Sequence, residues 1–178
     1  MLNFERSMRA GPIVACLMSS LGWATTLQLL STDQMIRQST AVVRVKVAGS
    51  TATLRGRNIY TVYQLTVLET LKNGPDTSSV AIPGGTAGAI RQMVAGAPTL
   101  IAGQEYVIFL WTSRTGLTQI IGLSQGLFSV GQDASGNAVL TRPAAAGVVV
   151  NPGGAPVPAS AVTMTLAALR SEIQKVLQ

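Results

Sequence analysis

The sequence predicts a mainly β domain, a barrel or a sandwich of short strands with few helices. Three observations carry this. Runs rich in Val, Ile, Thr and Tyr recur along the chain, punctuated by Gly, Pro, Asn and Asp. One of them, "YVIFLW" from Tyr106 to Trp111, is apolar on both alternating faces, as a strand covered on both sides must be. Helical spacing of apolar residues appears in two places only, near residue 32 and at the C-terminus.

Taken in order, "LLSTDQMIRQS" predicts a short helix over 32–38. Ser31 and Gln34 have the capping-box spacing, Leu30 and Met35 that of the hydrophobic staple, and Asp33 sits in the first turn. "AVVRVKV" alternates Val43, Val45 and Val47 with Val42, Arg44 and Lys46, a half-buried strand. "STATLRGRN" reads as a loop or a frayed hairpin end. "IYTVYQLTVLETLK" is a long strand that stops at the turn "NGPD", and "SVAIP" is a short one stopped by Pro83. The stretch from Gly84 to Gly96 reads as a long glycine-rich connection. "LTQIIGLSQGLFSVGQD" predicts a strand bent at Gly122 and Gly126, and "DASGN" turns it into "AVLTR". Residues 143–159 are a Pro/Gly/Ala-rich connector. Leu166, Leu169, Ile173 and Val176 then make one apolar stripe on a C-terminal helix, within 160–178, that docks on the barrel or on a partner.

Composition narrows the class. The 178 residues suit one domain. Net charge is +6, yet it comes from scarce acids (7) more than from abundant bases (13), and no run of like charge occurs. Arg6 and Arg9 precede an uncharged stretch that closes on small residues, so residues 1–24 read as a cleaved signal peptide. The competing reading is an uncleaved anchor over 12–30. Cleavage places residues 25–142 in the β domain, outside the cytoplasm in the periplasm or beyond. It also removes Cys16, leaving a chain with neither cysteine nor histidine.

"STAVVRVKV", "IYTVYQLTVLETLKNG" and "IAGQEYVIFLW", in that order, resemble the strands of netrin-like domains and tissue inhibitors of metalloproteinases. "IPGGTAGAI", "GAPTLIAGQEYVIFL" and "GLSQGLFSV" resemble segments of a group of uncharacterised exported bacterial proteins. The resemblance spans roughly residues 32–131 and implies an OB-like, netrin-type small β-barrel with a short N-terminal helix and a C-terminal helix. It carries fold more than activity. The cysteine by which the metalloproteinase inhibitors chelate zinc is missing, so that mechanism does not transfer.

The residue inventory argues against catalysis. Without histidine or mature cysteine there is no Ser-His-Asp triad, no thiolate nucleophile and no Cys/His zinc site. The acids are scattered, which disfavours an oxygen-ligated metal, and no cofactor motif occurs; "GGTAG" lacks the ending of a phosphate-binding loop. Glu69 and Glu105 are expected to pair with nearby bases. No lysine is placed beside a serine by spacing. Two contact regions stand out: the loop carrying Gly84, Gly85, Gly88, Arg91 and Gly96, where Arg91 suits a carboxylate or phosphate, and a basic patch of Arg44, Lys46, Arg55 and Arg57. The expected role is a non-catalytic binding module whose partner is another exported protein or an anionic envelope component. Export argues against nucleic acid, and a membrane enters only if the N-terminal segment stays uncleaved. The alternatives are a protease-inhibitor-like module that works without the N-terminal cysteine, and an unrecognised hydrolase.

Overall fold

The computed structural model of the chain describes residues 26–74 and 77–178. The predicted signal segment 1–24 lies outside them, as do Pro75 and Asp76 of the "NGPD" turn. The described chain is mainly β, built on an antiparallel sheet with two helices. The elements are β1 (Thr26–Gln28), α1 (Thr32–Gln38), β2 (Ala41–Arg55), β3 (Asn58–Lys72), β4 (Ser79–Pro83), β5 (Gly85–Ala87), β6 (Ile90–Gln92), β7 (Glu105–Thr112), β8 (Thr118–Ile120), β9 (Leu127–Gln132), β10 (Ala138–Arg142), β11 (Val148–Val150), β12 (Val162–Thr165) and α2 (Leu166–Leu177).

The main sheet runs β12-β10-β9-β7-β2-β3-β4, with β8 also on β7. β4 lies against β8, but no ladder joins them, so the sheet is open along that seam. The β2–β7 ladder pairs Val42 with Phe109, Val43 with Ile108 and Val45 with Tyr106. Side chains alternate across a strand, so this ladder faces two ways. Val43, Val45, Tyr106 and Ile108 enter one core, with Tyr63, Leu65, Val80 and Ile82 from β3 and β4. Val42, Val107 and Phe109 enter a second core, with Met35 and Ile36 of α1, Phe128 and Leu140 of β9 and β10, and the whole apolar stripe of α2. The "YVIFLW" strand is therefore central, and α2 docks on its own chain.

α1 forms as its caps dictate. The Ser31 and Gln34 side chains each accept from the other's backbone N–H. Leu30 and Met35 both reach the second core. At the other end Lys72 Nζ donates to the carbonyls of Ile36 and Ser39, closing the helix with a cation.

Four local readings need correction. Of the two readings of residues 50–58, the loop is wrong and the hairpin end forms, paired rather than frayed: β2 pairs with β3 out to Arg55 opposite Asn58, across a two-residue turn at Gly56-Arg57. Gly56 takes φ +63° and Arg57 does not turn positive, the arrangement in which glycine holds the first turn position of a hairpin. The Thr- and Ala-rich sequence hides this strand because its apolar alternation is weak. The glycine-rich connection also contains structure, a β5–β6 hairpin with its turn at Gly88-Ala89. The Pro/Gly/Ala connector contributes β11, which pairs in parallel with β1. Finally, the C-terminal helix starts only at Leu166, because Val162–Thr165 pairs with β10 and Thr165 caps the helix through Ala168 N–H.

The bent strand is resolved more finely than its sequence suggests. β8 and β9 both pair with β7, one after the other along the same edge. Between them residues 121–126 loop out opposite Phe109, whose N–H donates to Gly126 O and whose carbonyl accepts from Ile121 N–H. The excursion lets one strand serve both layers. It also presents Gln125, which is buried and bonds Leu30 N–H and Gln28 O, tying the N-terminal strand down. Arg142, also buried, donates to Gln125 O at 2.6 Å and lies over the Phe128 ring at 5.2 Å, so burial lowers its pKa without leaving its charge unattended.

A methyl at Gly126 would stand 2.8 Å from Ile121 Cγ2 and 3.0 Å from Phe109 Cβ. Gly126→Ala is therefore expected to lower stability by about 1–3 kcal/mol through overpacking. Leu169→Ala, which empties the second core, should cost about 2–5 kcal/mol. Urea unfolding measures both. A loss below about 0.5 kcal/mol at Leu169 would mean that α2 does not depend on this packing.

Candidate binding cleft

β4 delivers the chain to one mouth of the first core at Pro83, and the next two residues turn it sharply. Gly84 has φ +103° and Gly85 φ +128°, conformations that favour glycine. Gly84 N–H donates to Ile59 O at 2.8 Å, and Thr61 Oγ1 donates to Gly84 O at 2.9 Å. A Cβ on Gly85 would collide with that same Thr61 oxygen. The hairpin that follows is pinned back to β3 by Gln92, whose Oε1 accepts from Ile59 N–H at 2.6 Å. These contacts hold the hairpin away from the 94–99 segment and leave a cleft of about 390 Å³ between them.

Thr61 and Tyr63 form the β3 side of the cleft, Gly84 and Gly85 its glycine wall, and Arg91 stands at its rim opposite Thr86. Arg91 is exposed and belongs to no ion pair among the described residues. Met93, 82% exposed, adds a flexible apolar side chain. Gly84, Gly85 and Arg91 thus line one cleft. Gly88 is not at the cleft but at the hairpin tip, with φ +58° and open space around it. Gly96 sits in a separate turn against Leu123 and Ala146. Sequence reasoning missed Thr61 and Gln92. A Thr on one strand and a Gln beside Arg91 carry no local signal until the hairpin is folded back.

The proposed basic patch does not assemble. Arg44 is half-buried on the second-core face and bonded to Glu105 at 2.6 Å. Lys46 is on the same strand, directly opposite Glu105. Arg55 and Arg57 are at the far hairpin turn, about 35 Å along an extended strand from Arg44. A second pair, Arg170 to Glu69 through both carboxylate oxygens at 2.7 and 2.9 Å, ties α2 to β3. Glu69 also lies across the ladder from Arg44. The bonds from Arg170 hold its carboxyl below the ordinary range, against the opposing effect of burial, with the Arg170 and Arg44 charges adding to the lowering. Both glutamates are therefore engaged by bases.

Asp133 and Lys72 also have structural partners. Asp133 accepts from Asn137 and Ser135 in the β9–β10 turn, which lowers its pKa. Lys72 does come close to a serine, contrary to expectation, but it bonds the Ser39 carbonyl while Ser39 Oγ donates to Ile36 O. No hydrogen bond joins Nζ to that hydroxyl, and burial lowers the lysine pKa. Tyr63, Tyr106 and Phe109, which could otherwise stack on nucleic-acid bases, are buried, and Tyr60 is half-exposed. Among the described residues no group of three or more His, Cys, Asp or Glu could hold a metal, and no helix is long and apolar enough to cross a membrane. Comparison with known proteins finds no matching family model, curated protein or solved structure.

The Glu69 pair predicts a pH dependence. A carboxyl whose folded pKa is lowered stabilises the fold above its unfolded value near ~4.3, and that stability is lost as pH falls through the folded value. The pair is partly exposed, so Glu69→Gln should cost only about 0.5–1 kcal/mol at neutral pH. In urea titrations the gap between the two proteins closes on acidification. A gap that widened would contradict the assignment.

Proposed function

We propose that the chain is an exported, non-catalytic interaction module on an OB-like, netrin-type barrel, and that its partner enters the cleft beside Arg91. The single observation that carries the reading is the Arg91 guanidinium, in no ion pair among the described residues, at the rim of a preformed cleft whose wall is glycine backbone fixed to β3. A guanidinium fork matches a carboxylate or a phosphate in two parallel hydrogen bonds. The glycines let a partner's backbone approach closely. The partner is an exported protein or an envelope component that presents such a group.

The barrel reading is supported by five strands, β2, β3, β4, β8 and β7, of which each neighbouring pair shares a ladder except β4 and β8. The first core fills the space they surround. A partly open five-stranded barrel is the OB architecture. Export is supported by Arg6 and Arg9 ahead of the uncharged 12–30 stretch. Against catalysis stands the use of Glu69, Glu105 and Lys72 in structural bonds.

Titration with succinate and with glycerol phosphate, followed by amide chemical shifts, tests the reading. Shifts should cluster at Thr61, 84–86 and 91–94, disappear in Arg91→Ala and weaken in Arg91→Lys. Shifts confined to another surface would overturn the cleft assignment. Ester or peptide turnover that survives Arg91→Ala and is lost at a serine would select the hydrolase alternative instead.

A further inference from the structure

Beyond the cleft, the same end of the molecule carries a second kind of surface. Two tight turns project there, Gly56-Arg57 and Gly88-Ala89. β4 runs toward the first turn, with Pro83 opposite Tyr60, and passes directly into β5. The Gln92–Ile59 bond and the packing of Gly85 against Ala52 and Ile59 hold the two hairpins together. Large apolar side chains stand in solvent on these hairpins and just after them: Leu54, Ile90 and Met93 are 51%, 58% and 82% exposed. Arg57 in the first turn, Arg55 on the opposite strand face from Leu54, and Arg91 next to Ile90 are exposed at the same end, and none is in an ion pair among the described residues. The segments 50–66 and 79–104 that build this end contain no acidic residue. Elsewhere most described bases are occupied: Arg44 and Arg170 bond Glu105 and Glu69, Arg37 and Lys175 share a cleft with Asp33 and Glu172, and Lys72 and Arg142 bond backbone carbonyls.

We propose that this end docks on an anionic lipid bilayer, with Leu54 and Ile90 entering the interface and the three arginines meeting lipid phosphates. The shape favours a bilayer over an acidic protein. Apolar side chains on projecting turns need a matching hollow in a protein partner, whereas a bilayer interface yields around them. Arginine stems bury along apolar surface while their guanidinium groups stay among the headgroups. The proposal deepens the cleft reading and rests on it in sharing Arg91, since the docked end presents the cleft rim to the same anionic surface.

Each arginine near an anionic surface is worth about fivefold in partitioning. Full-length protein should therefore bind vesicles of phosphatidylcholine with an equal part of phosphatidylglycerol, and bind pure phosphatidylcholine vesicles far less. Arg55→Ala with Arg57→Ala, which leaves the cleft intact, should lower the binding about 25-fold, and added salt should weaken it. Residues 1–25 are present throughout, so a second readout isolates the tip. A polarity-sensitive fluorophore on Ile90→Cys, in a Cys16→Ser background, should shift to the blue on the anionic vesicles. Circular dichroism melts of the variants check that the fold is kept. No blue shift, or equal binding by the double variant, overturns the proposal. So does equal binding to polyglutamate without dependence on Leu54, which selects an acidic protein partner. Succinate shifts at the cleft that persist while vesicle binding is absent would sink this inference alone. Vesicle binding with no response at the cleft would sink the cleft reading and leave the tip standing.

Discussion

The ladder between β2 and β7 is the constraint on which the rest depends. Apart from Arg44, Lys46 and Glu105 toward one end, its residues are apolar on both faces, and strand geometry sends them in opposite directions. Burying one such side chain is worth about 1.5–3 kcal/mol, so both faces must be covered for the ladder to exist. On one side the sheet curls through β3 and β4 over its own interior. On the other, β9, β10 and the two helices close a second core. The excursion at 121–126 follows from the same demand, since one strand must leave the first layer after β8 and join the second as β9. Gln125 and Arg142 then satisfy the polar atoms that this crossing buries. Magnitudes decide what holds α2: four buried side chains outweigh the exposed Glu69–Arg170 pair several-fold, so the ion pair sets orientation and the stripe supplies the stability.

The sequence disclosed what local chemistry encodes. The Ser31–Gln34 capping box, the two-faced "YVIFLW" strand, the "DASGN" turn and the α2 stripe each depend on residues a few positions apart, and each forms as read. What stayed hidden depends on distant partners. β2 continues through a Thr- and Ala-rich stretch only because β3 pairs with it. β5 and β6 exist because Gly84, Thr61 and Gln92 fold the glycine-rich segment back on itself. The parallel pairing of β1 with β11 joins residues more than a hundred positions apart and has no local signature. The four-residue basic patch failed for a related reason: the stretch carrying Arg55 continues Arg44's strand, and so puts the two at opposite ends of β2.

The candidate site inherits its character from this division. The central ladder is rigid because it is buried twice, while the end carrying Arg55, Arg57 and Arg91 is built from hairpins whose side chains are largely exposed. Binding surfaces are commonly placed on such rims, held in position by a scaffold that does not move. Glycine at 84 and 85 does what no other residue can do there. It turns the chain at positive φ and makes room for Thr61, and so forms a cleft without a bulky side chain to fill it.

The claim that one two-faced ladder unites both layers is tested most directly by native-state hydrogen exchange. Amides of the β2–β7 ladder, from Val42 to Val45 and from Val107 to Leu110, should exchange only through global unfolding. Those of β9, β10 and α2 should share the same denaturant dependence, while the β5–β6 hairpin opens locally and exchanges faster. If β9, β10 and α2 instead opened as a separate unit, with the β2–β7 amides still protected, the two cores would be independent and the account would be contradicted.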